Sequence, residues 1–128
     1  VFDLVVWDPP HLSGGGPGGL IKTRYKMMPS SAPLQSPYPA FLAEAARVLK
    51  VGGVVIAKLA DQISGSLQTW NSAAFIQQAS LAGFVPCDMV IKVRKSPLFG
   101  GYIHGAKQQL HVRKRHCFWI LLRLGKKC

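Results

Sequence analysis

The sequence predicts an α/β domain, because apolar runs of strand length alternate with helical patterns along the chain. Residues 1–7 are apolar on both faces, which is typical of a strand that helices cover on both sides of a parallel sheet. The order strand, helix, strand, helix, strand, strand indicates right-handed parallel crossovers followed by an antiparallel hairpin. At 128 residues the chain has the size of one domain.

The first strand and the first helix are separated by a long polar stretch. Residues 13–37 are rich in Gly, Pro and Ser and predict a mobile loop. Apolar side chains at three- and four-residue spacing then predict an amphipathic helix over 39–50, with Pro39 near its first turn. We expect Gly52 and Gly53 to end this helix.

The second half of the chain continues the pattern. Residues 54–59 predict a second buried strand, 61–68 a polar turn, and 70–82 a weaker helix closed by Gly83. The later predicted elements are a third strand, a basic loop and a last strand, at 85–93, 95–116 and 117–124.

Composition indicates a folded protein with a polyanionic partner. Hydrophobic residues make up 48% of the chain, and no apolar run reaches the roughly 18 residues of a membrane-spanning helix. We therefore expect a soluble protein with no membrane partner. The net charge of +11 favours nucleic acid, and the alternative is a solubilising surface.

Cysteine and histidine spacing predicts neither a disulfide framework nor a metal site. Cys87, Cys117 and Cys128 are far apart, which fits a reducing cytoplasm and a cytoplasmic location. Cys87 and Cys117 lie in apolar segments and are expected to be small buried side chains. His104, His111 and His116 match no zinc pattern.

Asp8 and two prolines directly follow the first strand. Proline has no N–H and leaves the strand ladder, so we expect the carbonyls at Pro9 to turn outward beside the Asp8 carboxylate. Strand alternation places Trp7 on the opposite face, in the core. The predicted result is two acceptors side by side at the sheet rim. Burial of Asp8, or a lysine binding it far from any cleft, would contradict this interpretation.

Two stretches are informative together: Phe-Asp-Leu-Val-Val-Trp-Asp-Pro-Pro at 2–10 and Leu-Lys-Val-Gly-Gly-Val-Val-Ile at 49–56. In this order they resemble the carboxyl-terminal half of a class I S-adenosylmethionine-dependent methyltransferase. The similarity is to the branch that methylates exocyclic amino groups of bases in DNA. Three departures from that pattern are Val51 in place of Pro, His11 in place of a larger aromatic residue, and the missing glycine-rich cofactor loop.

The resemblance implies a partial Rossmann-like sheet, S-adenosylmethionine as methyl donor, and a base in DNA or RNA as acceptor, with DNA favoured. Asp8, Pro9 and Pro10 would carry the transfer, and His11 would stack on the base, hydrogen-bond it or act as a base. A surface histidine is the alternative. Residues 14–19 do not form the cofactor loop, so the cofactor-binding residues of this chain are unknown.

Further substrate contacts are predicted from position and charge. Lys58 and Asp61 follow the second strand at the edge where open α/β sheets place ligands, and are candidates for orienting the substrate. Ordinary solvated charges are the alternative. Phe99 and Tyr102 are expected to stack on bases, unless Phe99 folds onto the core. The predicted phosphate contacts are Lys95, Lys107, Arg113, Lys114 and Arg115.

The predicted sheet leaves one edge of the first strand bare, because only the strand at 54–59 can pair with it in parallel. We expect a missing segment or another chain to cover that edge, and the chain alone to be inactive. The alternative function is a non-catalytic basic nucleic-acid-binding module, a truncated methyltransferase remnant.

Overall fold

The computed structural model describes residues 1–9, 35–64, 67–93, 116–126 and 128. Within these ranges the chain forms two helices and six strands. In chain order they are β1 (Phe2–Trp7), α1 (Tyr38–Val48), β2 (Leu49–Leu59), β3 (Gln62–Ser64), β4 (Leu67–Thr69), α2 (Asn71–Leu81), β5 (Phe84–Val93) and β6 (His116–Leu124). The predicted loops at 13–37 and 95–116 lie almost entirely outside the described residues.

The main sheet has four strands in the order β1, β2, β6, β5. Strands β1 and β2 are parallel, and β6 is antiparallel to both β2 and β5. The predicted α/β fold and its terminal antiparallel pair are confirmed. The sequence did not predict that β6 lies between β2 and β5, nor that β3 and β4 form a small hairpin within the predicted polar turn.

Strand β2 begins earlier than predicted, and the glycine pair belongs to it. Helix α1 ends at Val48, while Gly52 has φ of 83° inside β2. A Cβ on Gly53 would lie 2.9 Å from the Lys50 carbonyl oxygen, so only glycine fits there. The register with β1 shifts across this segment, from Phe2 opposite Leu49 to Leu4 opposite Val54. The glycines therefore allow β2 to bulge, and they do not end α1.

Both helices pack against one face of the sheet. The core includes Leu42 of α1, Phe75 of α2 and Val55 of β2, each 1% exposed or less. On the opposite face, Leu4 and Val6 of β1 are 49% and 58% exposed. The prediction that β1 is buried on both faces is therefore wrong for the described residues. Helices α1 and α2 both pack on the same face of the sheet, so neither covers the other face of β1. Neither of these helices is long and apolar enough to cross a membrane.

The prediction that the cysteines do not pair is also wrong. Cys87 of β5 and Cys128 are joined by a disulfide, with their Cα atoms 5.4 Å apart. Gly125, with φ of 66°, turns the chain after β6, and its N–H donates to the Gly83 carbonyl over 3.1 Å. This return toward β5 brings together two residues separated by 41 positions. Cys117 is free and buried, as predicted.

Candidate active site

Asp8 lies where β1 ends, at the carboxyl edge of the parallel strand pair. Its side chain is 50% exposed, so the carboxylate projects from the rim rather than into the packed interior. This is the placement that the sequence predicted for the residue. Its chemical role stays a prediction.

The Asp8 carboxylate is bound by a second candidate residue, Lys58 of β2. Lys58 Nζ donates to Asp8 Oδ2 over 2.6 Å, and the lysine side chain is 25% exposed. The same ammonium lies 5.8 Å from the ring centroid of Trp119, its partner in β6. The sequence placed both residues at this edge but did not predict their bond. A lysine bound to Asp8 far from any cleft would contradict the predicted role of the carboxylate. Lys58 does bind Asp8, but the pair lies at the sheet rim.

Trp7 anchors the end of β1 from the opposite face. Its ring stacks on Phe41 of α1 with centroids 4.0 Å apart and planes 6° from parallel. Tyr38 and Phe75 approach the same ring edge-on and tilted, at 5.8 and 5.6 Å. The core position predicted for Trp7 is confirmed. Because these aromatic contacts fix Trp7, they also fix the backbone from which the Asp8 carboxylate extends.

Asp61 has a different environment from the one predicted. It is 4% exposed, and its two oxygens accept hydrogen bonds from the Ser72 N–H at 2.8 Å and the Ser72 hydroxyl at 3.0 Å. Asn71 Nδ2 donates to the neighbouring Ala60 carbonyl over 2.9 Å. Asp61 therefore satisfies the amino end of α2 and has little surface left to contact a substrate. The geometry does not favour its predicted substrate-orienting role.

The buried Asp61 charge also acts on Tyr38. Burial raises the pKa of the Tyr38 hydroxyl to about 12, and the negative charge of Asp61 contributes to the same shift. Sequence reasoning missed Tyr38, Asn71 and Ser72 as members of this cluster. An Asn-Ser pair just before an apolar helical pattern is a helix-start signal that could have identified two of them.

The other predicted site residues divide into one that is described and a group that is not. Pro9 directly follows Asp8 and is buried, and the acceptor role of its carbonyl stays a prediction. Lying outside the described residues are Pro10, His11, Lys95, Phe99, Tyr102, Lys107, Arg113, Lys114 and Arg115. Among the described residues, no group of His, Cys, Asp and Glu is arranged to hold a metal ion.

Comparison of the sequence with protein-family models found no match, and comparison with curated proteins found none. Solved structures do match. TTHA0409, a candidate DNA modification methylase from Thermus thermophilus, aligns over 97% of this chain at 18% identity with a TM-score of 0.62. The chain has the fold of part of that methylase.

The aligned region covers 45% of TTHA0409, so this chain spans less than half of that protein's length. TTHA0409 complexed with S-adenosyl-L-methionine aligns at 16% identity with a TM-score of 0.63. The complex of M1.HpyAVI with the same cofactor aligns over 96% of this chain and 44% of its own, at 14% identity and a TM-score of 0.51. The partial methyltransferase fold implied by the sequence resemblance is confirmed, and at these identities it is the fold alone that is shared.

Proposed function

We propose that this chain forms the acceptor side of an S-adenosylmethionine-dependent methyltransferase that acts on an exocyclic amino nitrogen of a base in DNA. The observation that carries the proposal is the Asp8 carboxylate, half exposed at the carboxyl edge of β1 in a fold shared with DNA modification methylases. Open α/β sheets bind ligands at this edge.

An exocyclic amino nitrogen needs help to accept a methyl group, because its lone pair is delocalised into the ring. A carboxylate that accepts a hydrogen bond from the amino group favours a tetrahedral nitrogen and stabilises the positive charge that develops there. Loss of one such preorganised partner typically costs on the order of 3 kcal/mol of transition-state stabilisation. Asp8 is the described residue that we assign to this task.

In this proposal Lys58 holds Asp8 in place. The two residues come from adjacent strands, 50 positions apart, and Lys58 reaches one oxygen of the carboxylate. A partly exposed ion pair contributes only about 1 kcal/mol or less to stability. If the Asp8–Lys58 pair served only to link β1 to β2, it would therefore stabilise the fold only slightly.

We assign no cofactor-binding residue in the described part of the chain. Strand β2 continues into the β3–β4 hairpin before α2 begins, and no described strand joins a helix through a glycine-rich loop. We infer that S-adenosylmethionine is the donor because the TTHA0409 and M1.HpyAVI structures contain it. The residues that bind it would lie outside the described part of the fold.

We choose DNA as the substrate from the net charge of the chain and from the solved structures that it matches. With 16 Lys and Arg against 5 acids, the chain favours a polyanion, and the matched TTHA0409 is a candidate DNA modification methylase. Phosphate contacts by the basic residues of 95–116, base stacking by Phe99, Tyr102 or His11, and a cytoplasmic location all remain proposals.

The proposal is tested by combining this chain with the half that binds the cofactor and measuring methyl transfer to DNA. Asp8→Ala should abolish transfer while DNA affinity stays nearly constant, because affinity comes from Lys and Arg. Titration calorimetry of the chain alone with S-adenosylmethionine should show little or no binding. Normal transfer by Asp8→Ala would remove Asp8 from the mechanism, and tight binding by the chain alone would mean that the cofactor site is misplaced.

The alternative function, a non-catalytic basic nucleic-acid-binding module, is favoured by the same net charge of +11. It predicts salt-dependent DNA binding by the chain and no methyl transfer in any combination. The combined assay therefore separates the two functions.

A further inference from the structure

Trp70 presents a large aromatic ring to solvent. Its side chain is 61% exposed, although tryptophan is highly buried on average in folded proteins. The other two tryptophans, Trp7 and Trp119, are only partly exposed. Among the described Phe and Trp side chains, Phe2 alone is exposed to a similar degree, at 59%. Phe2 begins β1 and therefore lies at the amino edge of the parallel strand pair.

Trp70 lies at the opposite edge, close to the candidate site. It connects β4 to α2, and the Ser72 N–H and hydroxyl two positions later bind Asp61, which follows β2. Asp61 is three residues beyond Lys58, the residue that binds Asp8. At roughly 3.3 Å per extended residue, these three steps span at most about 10 Å. The ring is therefore within reach of a nucleotide next to the one that Asp8 would bind.

Hydrogen bonds hold the backbone on both sides of Trp70. Before it, Thr69 Oγ1 donates to the Gln62 carbonyl over 2.8 Å. After it, Asn71 Nδ2 donates to the Ala60 carbonyl over 2.9 Å. A tryptophan side chain has only two rotatable torsions, so on a fixed backbone it loses little conformational entropy when it binds a ligand. These bonds therefore make the exposed ring a preorganised contact.

The chain around Trp70 is uncharged. Positions 62–87 contain no Asp, Glu, Lys, Arg or His, whereas the whole chain has a net charge of +11. In complexes of proteins with nucleic acids, lysine and arginine bind phosphates, whereas aromatic rings stack on bases. An exposed tryptophan in an uncharged stretch is therefore suited to a base rather than to the phosphate backbone.

The size of the exposed ring favours a base over a protein partner. A tryptophan side chain buries at most roughly 250 Å². A stable protein interface buries about 800 Å² on each partner. A nucleic-acid base, in contrast, needs a single aromatic ring to stack, and the net charge of the chain favours a polyanion.

We propose that Trp70 stacks on an unpaired base that flanks the methylated base. The inference rests on the proposed function and deepens it, because it assigns a contact to the neighbouring nucleotide. A base inside a duplex is stacked on both of its neighbours, so the ring reaches a base face only in a single strand or where the target base has left the stack. Contacts to flanking nucleotides set the sequence context that such enzymes prefer.

The test compares the affinity of the chain for a single-stranded oligonucleotide with its affinity for the fully paired duplex of the same sequence. Trp70→Ala should weaken single-strand binding about tenfold and duplex binding less than about twofold, because paired bases do not offer their faces to the ring. The slope of log affinity against log salt concentration should stay the same, since no phosphate contact is lost. Trp70→Phe should keep most of the affinity, because phenylalanine also stacks.

Phe2→Ala is the matched control, since it removes an equally exposed aromatic ring from the other edge of the sheet. It should change neither affinity. The urea midpoint of Trp70→Ala should stay close to that of the unmodified chain, because the ring is exposed. Tryptophan fluorescence gives a second readout, since stacking on a base quenches it. The single strand should quench the part of the signal that Trp70→Phe removes.

Three outcomes would overturn the proposal: single-strand binding by Trp70→Ala within about twofold of the unmodified chain, equal losses for the single strand and the duplex, and no binding by the unmodified chain. An equal loss for Phe2→Ala would also overturn it. If Trp70→Ala behaves as expected but Asp8→Ala transfers methyl groups normally, the stacking contact is supported and the proposed function fails. If Asp8→Ala abolishes transfer while Trp70→Ala binds single strands normally, only the stacking contact fails.

Discussion

Two acids follow neighbouring parallel strands, and the structure gives them opposite environments. Asp8, after β1, is half exposed and bound by Lys58. Asp61, after β2, is 4% exposed and bound on both oxygens by Ser72. Position at the carboxyl edge of a sheet therefore does not by itself identify a reactive carboxylate. Burial and the identity of the donors distinguish the half-exposed carboxylate of Asp8 from the carboxylate of Asp61, which holds the start of α2.

Removal of Asp61 and removal of Asp8 should have their largest effects on different properties of the chain. Hydrogen bonds to a buried charged group contribute about 1.5 to 3 kcal/mol each, whereas a partly exposed ion pair contributes about 1 kcal/mol or less. Asp61 should therefore matter for folding. Asp8 should matter for transfer.

The largest stability effect is expected for Asp61→Ala. The substitution leaves the Ser72 N–H and hydroxyl without their acceptor, so the free energy of unfolding should fall by about 3 kcal/mol. Asp8→Ala should lower it by less than about 1 kcal/mol. Urea denaturation of the chain measures both.

Asp61→Asn is the matched control for that measurement, because it keeps one carbonyl oxygen for the Ser72 N–H. It should cost about half as much as Asp61→Ala. If Asp8→Ala and Asp61→Ala lowered the free energy of unfolding equally, the two acids would not differ in their contribution to folding.

The next effect is a pH dependence at Tyr38. Its pKa is raised to about 12 in the folded chain, against 10.0 in the unfolded chain. The unfolded state therefore loses this proton first, and the stabilising contribution present below pH 10 is lost as the pH rises toward 12. The loss should be roughly 2 kcal/mol.

Tyr38→Phe should remove this part of the pH dependence, which denaturation at several pH values measures. The ultraviolet absorbance of tyrosinate, with Tyr38→Phe subtracted, reports the pKa directly. Asp61→Asn should lower that pKa and Asp8→Asn should leave it unchanged. The same fall in the Tyr38 pKa for both variants would mean that Asp61 has no larger effect on this hydroxyl than Asp8 has.

The smallest effect is expected for Lys58→Met. Removal of the ammonium should lower the free energy of unfolding by about 1 kcal/mol or less, and high salt should reduce the difference. In the combined transfer assay, the same variant should slow the reaction less than Asp8→Ala does, because it loosens the carboxylate without removing it. A destabilisation as large as that of Asp61→Ala would show that the pair is chiefly a structural link.

Local patterns in the sequence predicted each strand and helix of the main sheet and the rim position of Asp8. The insertion of β6 between β2 and β5 was not predictable, because antiparallel pairing of β6 with β2 depends on contacts between residues about half the chain length apart. The same reason applies to the Asp8–Lys58 and Cys87–Cys128 pairs. Gly52 and Gly53 were misassigned because a glycine pair fits a helix end and a bulged strand equally well.

The role of Asp8 is tested most directly by single-turnover methyl transfer in the combined domain, with Asp8→Ala measured beside Asp3→Ala. Asp3 forms the corresponding ion pair with Lys50 at the other end of β1, so Asp3→Ala matches the loss of a charge and of a link between the strands. Asp8→Ala should slow transfer by at least about 100-fold, and Asp3→Ala should leave it within about twofold of the unmodified rate. Transfer by Asp8→Ala at the rate of Asp3→Ala would show that Asp8 takes no part in the reaction.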